Sequence, residues 1–316
     1  MTYSLVAFDP DTGECGVAVQ SHWFSVGGLA IWAEPGVGAV ATQAVIEAAH
    51  GPGGLDLMRE GLPAPEALEK RVEGDPKAAA RQLAMVDARG GVAAYAGSDC
   101  MAHAGHLVGH HHSCQANLMK TDAVWGAMSE AYLGTAGPLA DRLLAALDAG
   151  EAAGGDRRGR QSAAMLVVAA EGEPWQREAD LRVEDHPDPL VELRRLLGLS
   201  KSYALVRAGD DLSLSGDDAG AADAYVAAWE LTPDNHELKF WASLALVERG
   251  EGDRGVALLR EAIEEHSGWG YMLEHMTTDM VPGADEVRRL FAVQEAGGGP
   301  GANPGRGQEA GGAVPT

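Results

Sequence analysis

Thr2-Tyr3-Ser4-Leu5-Val6-Ala7-Phe8 strings apolar, aromatic and β-branched residues together, the pattern of a short buried strand. Asp9-Pro10-Asp11-Thr12-Gly13 follows with turn chemistry, and Cys15–Ser21 returns as a second strand, so the chain opens on a hairpin. Residues 28–34 and 37–43 read as another pair of strands about Pro35-Gly36. Gly51-Pro52-Gly53-Gly54 opens a helical period at Leu55, and a helix is predicted from Pro65 to about Glu73, with Glu66 in its first turn. Strands are predicted at 81–87, 92–95, 113–118, 161–169 and 179–183, and helices at about 122–133 and 138–150. Runs of strands separated by helix pairs predict an α+β domain in which helices cover sheets.

From about residue 200 the pattern turns helical and begins to repeat. Gly209, Ala221, Tyr225, Ala228 and Pro233 stand where a tetratricopeptide (TPR) unit of ~34 residues places its small, aromatic and proline positions. One period on, Gly255, Leu259 and Ala262 occupy the matching places. An ordinary pair of helical hairpins is the competing reading. Two units are fewer than the ~3 of a free-standing array, so self-association through this region is expected. Residues 1–197 are therefore taken as one domain, 198–293 as a helical TPR-like region, and 294–316, rich in Gly and Pro, as a disordered tail.

Composition narrows the function. With 316 residues, of which 46 % are hydrophobic, the chain can bury a full core. A net charge of −23 argues against nucleic acid or an anionic membrane as partner. Cys15, Cys100 and Cys114 lack metal-type spacing, the N-terminus lacks the pattern of a signal peptide, and no apolar run reaches ~18 residues; a cytoplasmic protein is expected. Dinucleotide, phosphate-loop and nucleophile-elbow motifs are absent, and no cofactor is expected. His103, His106, His110, His111 and His112 lie among glycines without a Cys pair or Glu at ligand spacing, so they read as an exposed loop and no metal is expected.

Candidate chemistry centres on Thr2. Methionine aminopeptidases remove Met1 when a small residue follows, which would leave a threonine whose hydroxyl sits beside a free α-amine of pKa ~7.7–8.0. One residue would then hold both nucleophile and base, although Met-Thr alone is common among proteins that use neither. Alternation along 113–118 puts Ser113, Gln115 and Asn117 on one face, where buried amides must be hydrogen-bonded or face a cavity. Asn117 is the candidate oxyanion or substrate donor, and loop-satisfying amides are the alternative. Ser21, His22 and Gln43 stand at strand ends, with His22 readable as a surface residue, and Gln115 shares the face of Asn117; the family resemblance given next makes all four candidate substrate groups. Asp156 and Arg158 lie on a glycine-flanked loop, from which an Arg can clamp a carboxylate; ordinary loop solvation is the alternative.

Several segments resemble a family of uncharacterised proteins, the domain-of-unknown-function family 1028, of the N-terminal-nucleophile (Ntn) hydrolase superfamily. They are Thr2–Phe8, Thr12-Gly13 through Phe24, Gly38–Gln43, Gly51-Pro52-x-Gly54-Leu55, Gln115-Ala116-Asn117, Val124-Trp125, residues 155–163 and Asp185-His186-Pro187-Asp188-Pro189. The resemblance runs from residue 2 to about 197 and departs at Val45–His50, where an Asn-Pro-like segment is expected. It implies a four-layer αββα sandwich and amide-bond hydrolysis by Thr2, with a small-molecule amide as substrate. The alternative is a non-catalytic module of that fold whose helical region binds a partner protein.

Overall fold

The structure is a computed structural model and describes residues 2–277, 281 and 283–297. Met1 and the tail after Gly297, which holds most of the segment expected to be disordered, lie outside the described residues. Contacts divide the chain after Gly198 into two compact units.

The first unit opens on the predicted hairpin, β1 (Thr2–Phe8) and β2 (Cys15–Ser21). Next come α1 (Gly27–Ala30), β3 (Ile31–Glu34), β4 (Gly38–Ala44), α2 (His50–Arg59) and α3 (Ala64–Glu73). Then follow β5 (Arg81–Asp87), β6 (Val92–Ala96), β7 (Gly105–Val108), β8 (His112–Asn117), α4 (Val124–Gly134), α5 (Leu139–Ala152), β9 (Ser162–Val168), β10 (Ala179–Val183) and the start of α6 (Pro189–Leu214). The strands form two antiparallel sheets, ordered β10-β9-β2-β1-β8-β7 and β3-β4-β5-β6.

Alternation gives each central strand two apolar faces. In the first sheet Tyr3, Leu5, Cys114, Ala116 and Met165 pack under Leu143, Leu147 and Met128 of α4 and α5, together with Leu193 of α6. The opposite face, Val6, Val17, Val19 and Leu166, meets Ala39, Ala41, Ala84 and Val86 of the second sheet. The outer face of that sheet, Val40, Leu83 and Met85, is covered by Leu55, Met58, Ala67 and Leu68 of α2 and α3. Two-sided burial explains why β1, β2, β5 and β9 read as continuous apolar runs rather than as alternating ones.

Three local expectations are corrected. Residues 28–30 belong to α1, not to a strand: a Cβ on Gly27 would lie 2.4 Å from Ala164 Cβ, so this glycine lets the short helix sit directly on β9. The His-rich segment is not simply an exposed loop, because His106 lies on the edge strand β7 and His112 is fully buried at the start of β8. His112 Nδ1 faces the His110 carbonyl at 3.1 Å, so Nδ1 carries the proton and Nε2 accepts from Ser129 Oγ at 2.8 Å. Burial lowers its pKa, which favours the neutral ring. Finally, the helical pattern assigned from about residue 200 begins at Pro189, as the N-terminal proline of α6.

The second unit continues α6 and adds α7 (Asp218–Leu231), α8 (His236–Glu248), α9 (Gly252–Glu265), α10 (Gly268–His275) and α11 (Ala284–Gly297). Asp217 caps α7 by accepting from Gly220 N, and Asn235 caps α8 by accepting from Glu237 N and Leu238 N. A Cβ on Gly255 would lie 2.7 Å from the Ser243 carbonyl, so only a glycine lets α9 approach α8 this closely. Among the described residues no helix is long and apolar enough to cross a membrane.

Candidate functional site

The space between the sheets changes character along β1. Beyond Val6 it is apolar, but from Ser4 to Thr2 every strand that borders it contributes polar side chains. Register explains this: Thr2 pairs with Ser21 on one side and Asn117 on the other, while Gln43 pairs with Gln82 across the second sheet. Strand parity then turns Ser4, Gln43, Gln82, Ser113, Gln115 and Asn117 into one buried layer.

The layer is a connected hydrogen-bond network. Ser113 Oγ donates to Gln115 Oε1 (3.0 Å), Gln115 Nε2 to Ser4 Oγ (2.7 Å), and Ser4 Oγ to Gln43 Oε1 (2.8 Å). Gln82 Oε1 accepts from both Gln43 Nε2 (2.6 Å) and Asn117 Nδ2 (2.9 Å). Gln82 Nε2 donates to the carbonyls of Ala116 (3.0 Å) and Gly105 (3.1 Å). The network ends on Thr2, whose carbonyl receives longer contacts from Gln43 Nε2 (3.4 Å) and Asn117 Nδ2 (3.5 Å). Thr2 Oγ1 lies 3.0 Å from Ser21 Oγ.

The network thus brings Thr2, Ser21, Gln43, Gln115 and Asn117 together, and it adds Gln82, which sequence reasoning had not singled out. The available signal was Gln82 inside the otherwise apolar strand β5, a buried amide that must find partners. His22, Asp156 and Arg158 form a separate anchor. The buried Asp156 carboxylate accepts from His22 N (3.1 Å), Arg158 N (2.9 Å) and Arg158 Nη2 (2.9 Å), tying the 156–160 loop to the end of β2. The Arg158 guanidinium therefore already engages a carboxylate of its own loop.

A second anchor holds the loop after β4. Asp75 accepts from Arg81 Nε at 2.7 Å and lies 2.9 Å from His50 Nε2, and Arg81 Nη1 donates to the Val45 carbonyl at 2.6 Å. The Arg81 hydrogen bond holds the Asp75 carboxyl well below the usual carboxylate range. A depressed folded pKa contributes stability that is complete above the unfolded pKa of ~3.9 and is lost as pH falls through the folded value. Asp75→Asn is therefore expected to cost roughly 1–3 kcal/mol at neutral pH and to flatten the acid limb of unfolding below about pH 4, read by thermal melts from pH 7 to 2. A variant that keeps the wild-type acid limb would show that another carboxylate carries it.

Cys15 and Cys114 are poor rivals as nucleophiles. Cys15 and Cys114 are buried; burial pushes the Cys15 thiol up to about 12 and raises that of Cys114 as well. Among the described residues no group of three His, Cys, Asp or Glu side chains is arranged to hold a metal ion.

Comparison with known proteins places the first unit. A model described as a family of unknown function, DUF1028, matches residues 2–193. The crystal structure of a DUF1028 protein from Silicibacter pomeroyi is 33 % identical in sequence and superposes with a TM-score of 0.57, covering 62 % of this chain and 87 % of that one. No curated protein matches.

Proposed function

From the premise that this chain belongs to the DUF1028 family, we propose that it is an amide-bond (C–N) hydrolase of the N-terminal-nucleophile kind, acting through Thr2 once Met1 has been removed. The observation that carries the proposal is the position of Thr2: its hydroxyl and carbonyl lie between the sheets at the polar end of the network, beside Ser21 and Asn117. The order helix layer, two sheets, helix layer fits the αββα sandwich of that superfamily.

In the mature chain, the α-amine of Thr2 takes the hydroxyl proton as Oγ1 attacks the substrate carbonyl carbon. The amine returns that proton to the leaving nitrogen as the C–N bond breaks, leaving an ester on Thr2. A water molecule, deprotonated by the same amine, then attacks the ester; as the C–O bond to Thr2 breaks the amine returns that proton to Thr2 Oγ1, and the acid is released. Ser21 Oγ orients the Thr2 hydroxyl. Asn117 Nδ2 has one firm bond, to Gln82, and one long contact, to the Thr2 carbonyl; the long one leaves an N–H that can turn to the oxyanion. Asp156, through His22 N and Arg158, fixes the loop that follows the end of β2 beside Thr2, and the proposed substrate is a small-molecule amide.

Asn117→Ala should lower kcat by roughly 10²–10³ with little change in KM. A rise in KM alone would make Asn117 a ground-state binding group. The function itself is tested by intact-mass analysis of the purified protein followed by hydrolysis assays over a panel of small amides and acyl-amino acids. A chain that retains Met1 and still hydrolyses amides would overturn the assignment to Thr2.

A second reading, a non-catalytic module that presents a TPR-like helical region to a partner, draws on a hollow of about 310 Å³ in the second unit, bordered by α6, α7 and α8. The matched small positions support the TPR-like character: Ala221 and Ala228 on α7 and Gly255 and Ala262 on α9 are buried one repeat period apart. Association of copies through this region belongs to the same proposal.

A further inference from the structure

Register sets the ends of β2, β4, β6 and β8 level with Thr2: Ser21 and Asn117 pair with Thr2, Gln43 pairs with Gln82, and Gln82 with Ala96. The loops that follow these four strands therefore leave the sandwich together, around the polar network. At or beyond each strand end stands a non-glycine residue in the left-handed region: Ser25 (φ 55°), Ala44 (70°), His103 (56°) and Leu118 (53°). Each is pinned by a main-chain hydrogen bond at or next to it, Ser25 N to Glu184 O, Val45 N to Ala80 O, Met119 N to His103 O and Arg157 N to Leu118 O. Among the described residues His111 alone shares that conformation elsewhere. Strain held at four neighbouring loops marks a surface whose shape is fixed for a ligand.

The loops differ in chemistry. Trp23 and Phe24 after β2, Val45 after β4 and Met101 after β6 stay 54, 63, 52 and 49 % exposed, an apolar rim at the mouth of a polar site. The loops after β8 and before β9 instead carry Lys120 and Arg157. Arg157 Nη2 donates to the Lys120 carbonyl at 3.4 Å, so the two cationic residues are neighbours just beyond Asn117. Neither has a carboxylate partner among the described residues, whereas Arg158 and Arg160 are taken up by Asp156, Glu151 and Asp188. Asp122, on the Lys120 loop, lies 2.9 Å from His103 Nδ1, and Glu47 and Asp99 stand on loops of the second sheet. A chain of net charge −23 repels anions as a whole, but these two uncompensated cations give a carboxylate a place to settle.

We propose that this end of the sandwich binds an amphiphilic amide. An apolar group on one side of the C–N bond rests on Trp23, Phe24, Val45 and Met101, and a carboxylate on the other side is held by Lys120 and Arg157. An N-acyl amino acid with a long or aromatic acyl group has that chemistry. Its cleavage rests on the assignment of hydrolysis to Thr2; its binding rests on the loops alone.

The test measures the two separately on the full chain. N-octanoylglycine is compared with N-acetylglycine, which lacks the apolar group, and with N-ethyloctanamide, which lacks the carboxylate. Calorimetry on Thr2→Ala reads binding, and product release by the wild type reads cleavage. N-octanoylglycine should bind about tenfold or more tightly than either control, its advantage over N-ethyloctanamide shrinking as salt is raised. Adding Lys120→Gln/Arg157→Gln should remove that advantage and keep the one over N-acetylglycine; adding Trp23→Ser/Phe24→Ser should do the reverse. All four side chains are exposed, so both variants should melt like their parent. Should the aromatic variant melt early, Val45→Asn/Met101→Gln must give the same loss. Equal binding of either control, or a variant that leaves its preference unchanged, would overturn the proposal. Cleavage without these preferences would overturn it while leaving the Thr2 assignment standing; the preferences without cleavage would uphold the binding surface and remove the Thr2 assignment.

Discussion

Thr2→Ala should abolish the proposed amide hydrolysis, lowering kcat/KM by roughly 10⁴-fold or more while leaving the protein folded, because in the proposed mechanism Thr2 Oγ1 is the only protein atom that forms a bond to the substrate. The substitution removes one buried hydrogen bond, between Thr2 Oγ1 and Ser21 Oγ at 3.0 Å, a cost of ~1–3 kcal/mol that leaves the chain folded. Thr2→Ser keeps hydroxyl and amine but frees χ1, and partial activity is expected. Residues added ahead of Thr2 should inactivate the protein as completely as alanine does, since an acylated nitrogen has no lone pair with which to take a proton. The rate should rise through a base titrating near neutrality. Full activity in Thr2→Ala, measured beside a matched thermal melt, would end the mechanism. Ser4 would not inherit the role, because its hydroxyl donates to Gln43 and accepts from Gln115 deep inside the layer.

Gln82→Leu should be the most destabilising single change at the site. Gln82 is wholly buried, and its side chain satisfies four groups: the amides of Gln43 and Asn117 and the carbonyls of Gly105 and Ala116. Leucine fills a similar volume but offers no hydrogen bond. At ~1–3 kcal/mol for each buried group left without its best partner, softened where Gln43 and Asn117 fall back on the Thr2 carbonyl, the loss is roughly 3–6 kcal/mol. For a unit of this size that is a fall in Tm of roughly 10–20 °C. A Tm within ~2 °C of wild type would mean that water already solvates this end of the sandwich. A double-mutant cycle with Gln43→Leu should be strongly non-additive, because either change breaks the same chain of bonds.

The strands that build the site were legible because of where they lie. Thr2–Phe8, Cys15–Ser21 and Arg81–Asp87 are buried on both faces, so their sequences are mostly apolar at successive positions, interrupted only by the few polar residues that build the site. The edge strand β7 was not, because an edge strand needs no apolar alternation and Gly105-His106-Leu107-Val108 resembles a loop. His112 was misjudged for a related reason: four neighbouring histidines disguised the one that β8 draws into the core.

The sequence by itself determined which residues could hold chemistry: a threonine behind Met1, amides at alternate positions 113–117, and Gln43 at a strand end. Period-2 alternation is local and needs no knowledge of neighbours to put Ser113, Gln115 and Asn117 on one face. It cannot say what that face meets. Only tertiary structure decided that Thr2 pairs with both Ser21 and Asn117, that Gln43 and Gln82 come from the opposite sheet to close the network, and that Asp156 spends its charge on His22 N and Arg158. Apart from Arg158, which stands two residues from Asp156, these partners lie about 20 to more than 100 residues apart along the chain, and their distances are set by sheet packing rather than by spacing in the sequence.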